Sequence, residues 1–160
     1  MTTKQQATVF SSTVIRPALQ KIDLWSPAAE ELLLGTALVE SELLHRKQIG
    51  GGPARGLFQM EIATHDDIWK NYLAFKPQLA KAITSLQSSA SVDKHLALEN
   101  NDKYACAMAR VHYHRASTPL PQAGDTQDMA SYWKQHYNTL LGARTISNYV
   151  QRWNQAMGVK

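Results

Sequence analysis

One carboxylate is set apart by its neighbours. In the stretch "GTALVESELLH", Glu40 follows Leu33 and Ala37 and precedes Leu44 at steps of three and four. On a helix that spacing places all four on one face. Glu42 falls about 200° away from Glu40 at 100° per residue. A carboxyl on an apolar face is unfavourable unless it is paired or neutral. Such a setting disfavours the charged form and raises the pKa, which prepares a general acid or base near neutral pH. Two plainer readings compete. Glu40 could simply reach water near the C-terminal end of its helix, or form a structural ion pair with Arg46 or Arg55.

The surrounding pattern predicts the elements that hold this residue. The run "SPAAEELLLGTALVESELLH" reads as the strongest helix of the chain. Ser26 is its N-cap, Pro27 its first residue, and Glu30 and Glu31 sit at the positive end of the dipole. Leucines and alanines surround nearly its whole circumference, so it is expected to be a central helix covered by others. The glycine-rich "QIGGGPARG" breaks it into a loop, with a short irregular strand allowed between Gln48 and Gln59. Further helices are expected over "TVIRPALQKIDLW", with Pro17 tolerated only near its start. Others are expected over "ATHDDIWKNYLAF", capped by Thr64, and over "PQLAKAITSLQSS" from Pro77. A polar connector then leads to a helix near residues 101–115. After the loop "STPLPQAGD" come two C-terminal helices, near 126–140 and 143–157. The class is all-α, in one domain covering 1–160, with residues 1–10 expected as a flexible N-terminal segment.

The bulk properties narrow the partners only slightly. In 160 residues, 44% are hydrophobic and 19% charged, which is ordinary globular composition. The net charge of +4 favours anionic partners such as nucleic acid, acidic membranes or cell-wall polymers. Cys106 is the only cysteine, so an intrachain disulfide is impossible, and it reads as a small buried apolar residue. No membrane insertion is expected, because no run reaches the ~20 apolar residues a span needs. The polar start lacks the apolar centre of a signal peptide. Six histidines invite a metal reading. His112 and His114, however, are two apart on different sides of a helix, and no carboxylate completes a recognisable zinc pattern. No metal and no cofactor are expected. The aromatic and basic residues between Trp133 and Trp153 recur at helical spacing and read mainly as core, with some edges lining a groove.

Two motifs together carry a resemblance. Glu40-Ser41 closes the apolar "ALVES", and "GLFQMEIAT" follows with Gly56, Leu57, Phe58, Gln59 and Thr64, so that Gln59 lies nineteen positions after Glu40. In order, spacing and residue identity this resembles the soluble lytic transglycosylases and their goose-type lysozyme relatives. The likeness is good over roughly residues 30–70 and weak elsewhere. The third motif of that family has its best counterpart in "CAMARVHYHRA", where Tyr113 stands for the family's tyrosine and His114 replaces the asparagine.

The resemblance implies a lysozyme-like fold and cleavage of the β-1,4 bond between N-acetylmuramic acid and N-acetylglucosamine in peptidoglycan. Glu40 would act as acid and then base, closing an anhydro ring on the sugar's own 6-hydroxyl. Ser41, Gly56, Phe58, Gln59, Glu61 and Tyr113 would line the substrate groove. Plainer roles stay open: a helix serine for Ser41, a loop brace for Gln59, a solvated carboxylate for Glu61 and a core residue for Tyr113. A hydrolase would need a second carboxylate, for which Glu61, Asp66 and Asp67 are the candidates. The expected setting is a phage protein, virion-associated or an endolysin, held in the virion or the host cytoplasm before reaching the wall. Two other classes stay open: a non-catalytic virion protein with this fold, and a basic helical nucleic-acid-binding module.

Overall fold

The computed structural model describes residues 2–138 and 142–159. It is all-α, with a single two-stranded ribbon among the described residues. The helices are α1 (Lys4–Phe10), α2 (Arg16–Lys21), α3 (Pro27–Ser41), α4 (Ile62–Asn71), α5 (Pro77–Thr84), α6 (Lys94–Asn100), α7 (Asp102–His114), α8 (Thr126–His136) and α9 (Ile146–Met157). Strands β1 (Ala54–Arg55) and β2 (Met60–Glu61) pair antiparallel between α3 and α4.

Helix α3 forms as its sequence dictates. The Ser26 hydroxyl accepts the Ala29 N–H, and Pro27 occupies the first turn. Eleven of its fifteen residues are buried, including every residue from Leu32 to Ser41. It is the central helix, packed against α7, α8, α9 and the turn between α1 and α2. Close packing has a visible consequence at Gly35, where a Cβ would lie 1.9 Å from the Tyr149 hydroxyl of α9. The acidic first turn does more than meet the dipole. Glu30 accepts from Arg16, Ser11 and Trp25, which fastens the N-terminal helices to α3.

Several expectations need correction. Helix α3 ends at Ser41 rather than running to His45, because Glu42 and Leu43 both adopt left-handed backbone, at φ 56° and 57°. Leu44 therefore leaves the apolar face and is exposed. Residues 4–10, expected to be flexible, form a helix with a capping box between Thr3 and Gln6 and a buried Ala7. Pro17 stands in the first turn of α2, as expected, but that helix continues without a break from the turn before it. It follows a π-helical turn, Ser11–Ile15, inside a continuous helical run, and the wider turn gives the ring room. Thr64 does not cap α4, which starts at Ile62 with Glu61 in the cap position. The polar connector before residue 101 contains α6, capped by Asp93 and anchored by buried Ala97 and Leu98. Cys106 is fully buried, and burial raises its thiol pKa.

Candidate active site

Glu40 lies on the last turn of α3, where the helix meets a cleft of about 400 Å³. Its side chain helps line that cleft although the residue is only 8% exposed. The opposite walls come from the segment His45–Thr64, from α7 and from the chain between α8 and α9. Trp133, fully buried on α8, donates its indole Nε1–H to Glu40 Oε2 at 3.0 Å. Arg144 brings Nε to 3.9 Å from Oε1, a long ion pair, and donates Nη2–H to the Glu40 backbone carbonyl at 3.3 Å. Arg46 and Arg55, the partners proposed from sequence, are engaged elsewhere: Arg46 with Asp102 and Arg55 with Glu99.

Burial and these partners act in opposite directions on the proton of Glu40. Loss of water penalises the carboxylate, while the Trp133 N–H, Arg144, Asn138 and Lys134 favour it. Burial wins, and the pKa rises from 4.5 to about 7. At neutral pH the acid and its conjugate base are both well populated, the condition a proton donor that must later accept a proton requires.

The cleft wall is assembled from distant sequence. Lys134 Nζ donates to Asn138 Oδ1 at 2.8 Å, Arg144 O at 2.6 Å and Gly142 O at 3.2 Å, which holds the chain after α8 beside Glu40. Tyr137 lines the cleft and donates its hydroxyl to Phe58 O at 2.6 Å. His112 lines it from α7, with burial lowering its pKa to about 4, so the ring is neutral above that range. Its Nδ1 has no hydrogen-bond partner among the described residues.

Comparison with known protein families, curated proteins and solved structures returns no match. The site therefore stands on its own geometry.

The residues expected at the site divide into two groups. Glu40, Gln59 and Glu61 line the cleft. The Gln59 amide Nε2 braces the loop through His45 O at 3.1 Å and Gly56 O at 2.9 Å, so its nitrogen serves the wall itself. Glu61 is exposed at the cleft edge. The other four support the wall from behind. The Ser41 hydroxyl is 2.5 Å from Leu57 O and 3.0 Å from Ala37 O, and it accepts the Leu43 N–H. It locks the end of α3 onto the second motif and does not touch the Glu40 carboxyl. Phe58 is fully buried against Phe10. Gly56 has φ +78° and packs against the Leu98 carbonyl. Tyr113 is fully buried and shares a 2.8 Å hydrogen bond with Thr36.

Tyr113 thus belongs to the core, and Tyr137, stacked on it at 5.1 Å, is the tyrosine that reaches the cleft. Removing the Tyr113 hydroxyl tests this placement. Tyr113→Phe is expected to lower stability by about 1 kcal/mol, the worth of one buried hydrogen bond. It should leave any cleft chemistry unchanged, as urea unfolding and a rate assay would report. Of the candidate second carboxylates, Asp67 pairs with Arg115 and Asp66 with His65 and His95, both away from the cleft.

Proposed function

We propose that this chain is a peptidoglycan-cleaving enzyme of lysozyme-like fold, acting as a lytic transglycosylase on the bond between N-acetylmuramic acid and N-acetylglucosamine. The observation that carries the reading is the Glu40 carboxyl, buried on a cleft wall with its pKa raised to about 7. The motif resemblance around Glu40-Ser41 and Gly56–Gln59 supplies the substrate class.

Protonated Glu40 gives its proton to the glycosidic oxygen as the bond from that oxygen to the sugar C1 breaks. Positive charge develops on the ring, and Glu40 is left as carboxylate. Trp133 N–H and Arg144 are placed to stabilise that anion. The carboxylate then takes the proton of the muramic acid 6-hydroxyl while its oxygen bonds to C1. An internal nucleophile has a high effective concentration, so no positioned water is required. The acid is regenerated in the same step.

Hydrolysis is the second reading, and Glu61 at the cleft edge is the carboxylate that would position water. The setting fits a phage protein that opens the wall, either from the virion or as an endolysin. Incubation with purified peptidoglycan, followed by mass spectrometry of the released fragments, tests the proposal. Products one water lighter than hydrolytic fragments are expected. Reducing-end products would assign the hydrolase, and no release by folded protein would favour a non-catalytic virion component.

A further inference from the structure

A second cluster of reactive side chains lies away from the cleft. His65 and Asp66 stand on α4, and His95 comes from α6. Asp66 Oδ1 is 2.9 Å from His65 Nδ1 and 2.8 Å from His95 Nε2, and one ligand atom from each residue lies within 4.8 Å of the others. We propose that His65, Asp66 and His95 bind a first-row divalent transition ion, with zinc as the representative.

The donor set fits that ion class. Two imidazole nitrogens and one carboxylate oxygen suit zinc and its neighbours, whereas magnesium and calcium take oxygen donors. Zinc bonds of about 2.0–2.1 Å in a tetrahedron separate donor atoms by roughly 3.3 Å. The ion therefore enters by parting Asp66 from each ring by about half an ångström and by setting the two ring nitrogens, within 4.8 Å of each other, at that same separation. Asp66 and His95 are exposed and free to make that movement, with side chains 55% and 44% accessible. The open side leaves a position for water.

The fixed member is His65, with its side chain only 2% accessible. Its far nitrogen, Nε2, is 2.8 Å from the Tyr104 hydroxyl, which also accepts the Trp69 Nε1–H at 3.0 Å. The phenolic oxygen has two lone pairs and can take both donors. Without an ion, His65 donates Nδ1–H to the Asp66 carboxylate and accepts the Tyr104 O–H at Nε2. An ion at Nδ1 would take the other tautomer, whose Nε2–H donates to Tyr104, and an oxygen partner on the far nitrogen is the usual support of a metal-bound histidine.

The neighbouring charges are two cations and one carboxylate. Lys70, Lys94 and Asp93 line the same recess, and Lys94 Nζ lies 5.0 Å from the Trp69 ring centroid. The Asp93 carboxylate caps α6 by accepting from His95 N and Leu96 N. A bound ion would tie α4 to α6 across a break of 29 residues in sequence.

Calorimetric titration of metal-stripped full-length protein with zinc chloride tests the site. One ion per chain is expected, with a rise in the unfolding temperature and no response to magnesium chloride. His95→Ala and Asp66→Asn, both at exposed positions, should weaken binding at least about tenfold while circular dichroism stays native. Glu40→Gln should bind zinc as the wild type does. Absence of stoichiometric binding by the folded wild type, or undiminished binding in both variants, would overturn the assignment.

Discussion

Glu40→Gln should lose roughly 10²–10⁴-fold of the peptidoglycan-cleaving rate, the range for removing a general acid–base group. Gln is nearly isosteric and can still accept the Trp133 N–H, so the fold should survive. The same exchange should make the protein more stable at alkaline pH. The folded pKa of Glu40, about 7, lies above its unshifted value of 4.5. Between those values the native state holds a proton that the unfolded chain has released. The associated stability is complete below pH 4.5 and is lost as pH rises through 7. Wild type above that range bears roughly 3 kcal/mol for a buried carboxylate, at about 1.4 kcal/mol per pKa unit. The variant never acquires that charge. Urea unfolding at pH 5 and pH 8.5 should show its advantage growing with pH, and the wild-type cleavage rate should fall above pH 7 as the acid form is lost.

Gly56→Ala is expected to have the second largest effect, on stability. The backbone there has φ +78°, where a side chain is strained, and a Cβ would lie 2.1 Å from the Leu98 carbonyl oxygen. That neighbour is backbone of α6 and cannot rotate away. Left-handed strain and displacement of the Leu98 backbone together should cost about 2–4 kcal/mol. Thermal unfolding should move down by several degrees, at about 2–4 °C per kcal/mol for a chain of this size. Activity should fall as well. Gly56 N–H donates to Arg46 O at 2.6 Å, and Gly56 O accepts from both the backbone and side-chain N–H of Gln59. Shifting it moves the wall that carries Gln59. An unchanged melting temperature would mean that this loop does not pack on α6 as described.

Local signals served where the physics is local. Ser26, Pro27 and the leucine-rich circumference announced α3, and the position of Glu40 among apolar residues announced its burial. The end of α3 was not legible, because Glu42 and Leu43 carry no glycine-like mark of their left-handed backbone. Helix α6 was hidden in a polar stretch, since two buried residues and one cap are little pattern for seven residues. The partners of Glu40 were out of reach for a different reason. Trp133 lies 93 residues away and Arg144 lies 104 away, and nothing along the chain tells which of many aromatics and cations faces a given carboxyl. Tyr113 illustrates the same limit: its motif position pointed to the groove, but the turn of α7 directs it at Thr36. The His65–Asp66–His95 cluster needed two helices side by side before its third member was visible.

Carbon-13 NMR of the glutamate side-chain carboxyls, with Glu40→Gln used to assign the resonance, reads the proton on Glu40 directly. The expected titration midpoint of that carboxyl is near pH 7. A midpoint near the unshifted value of 4.5 would show a solvated or firmly paired carboxylate and would contradict a buried general acid.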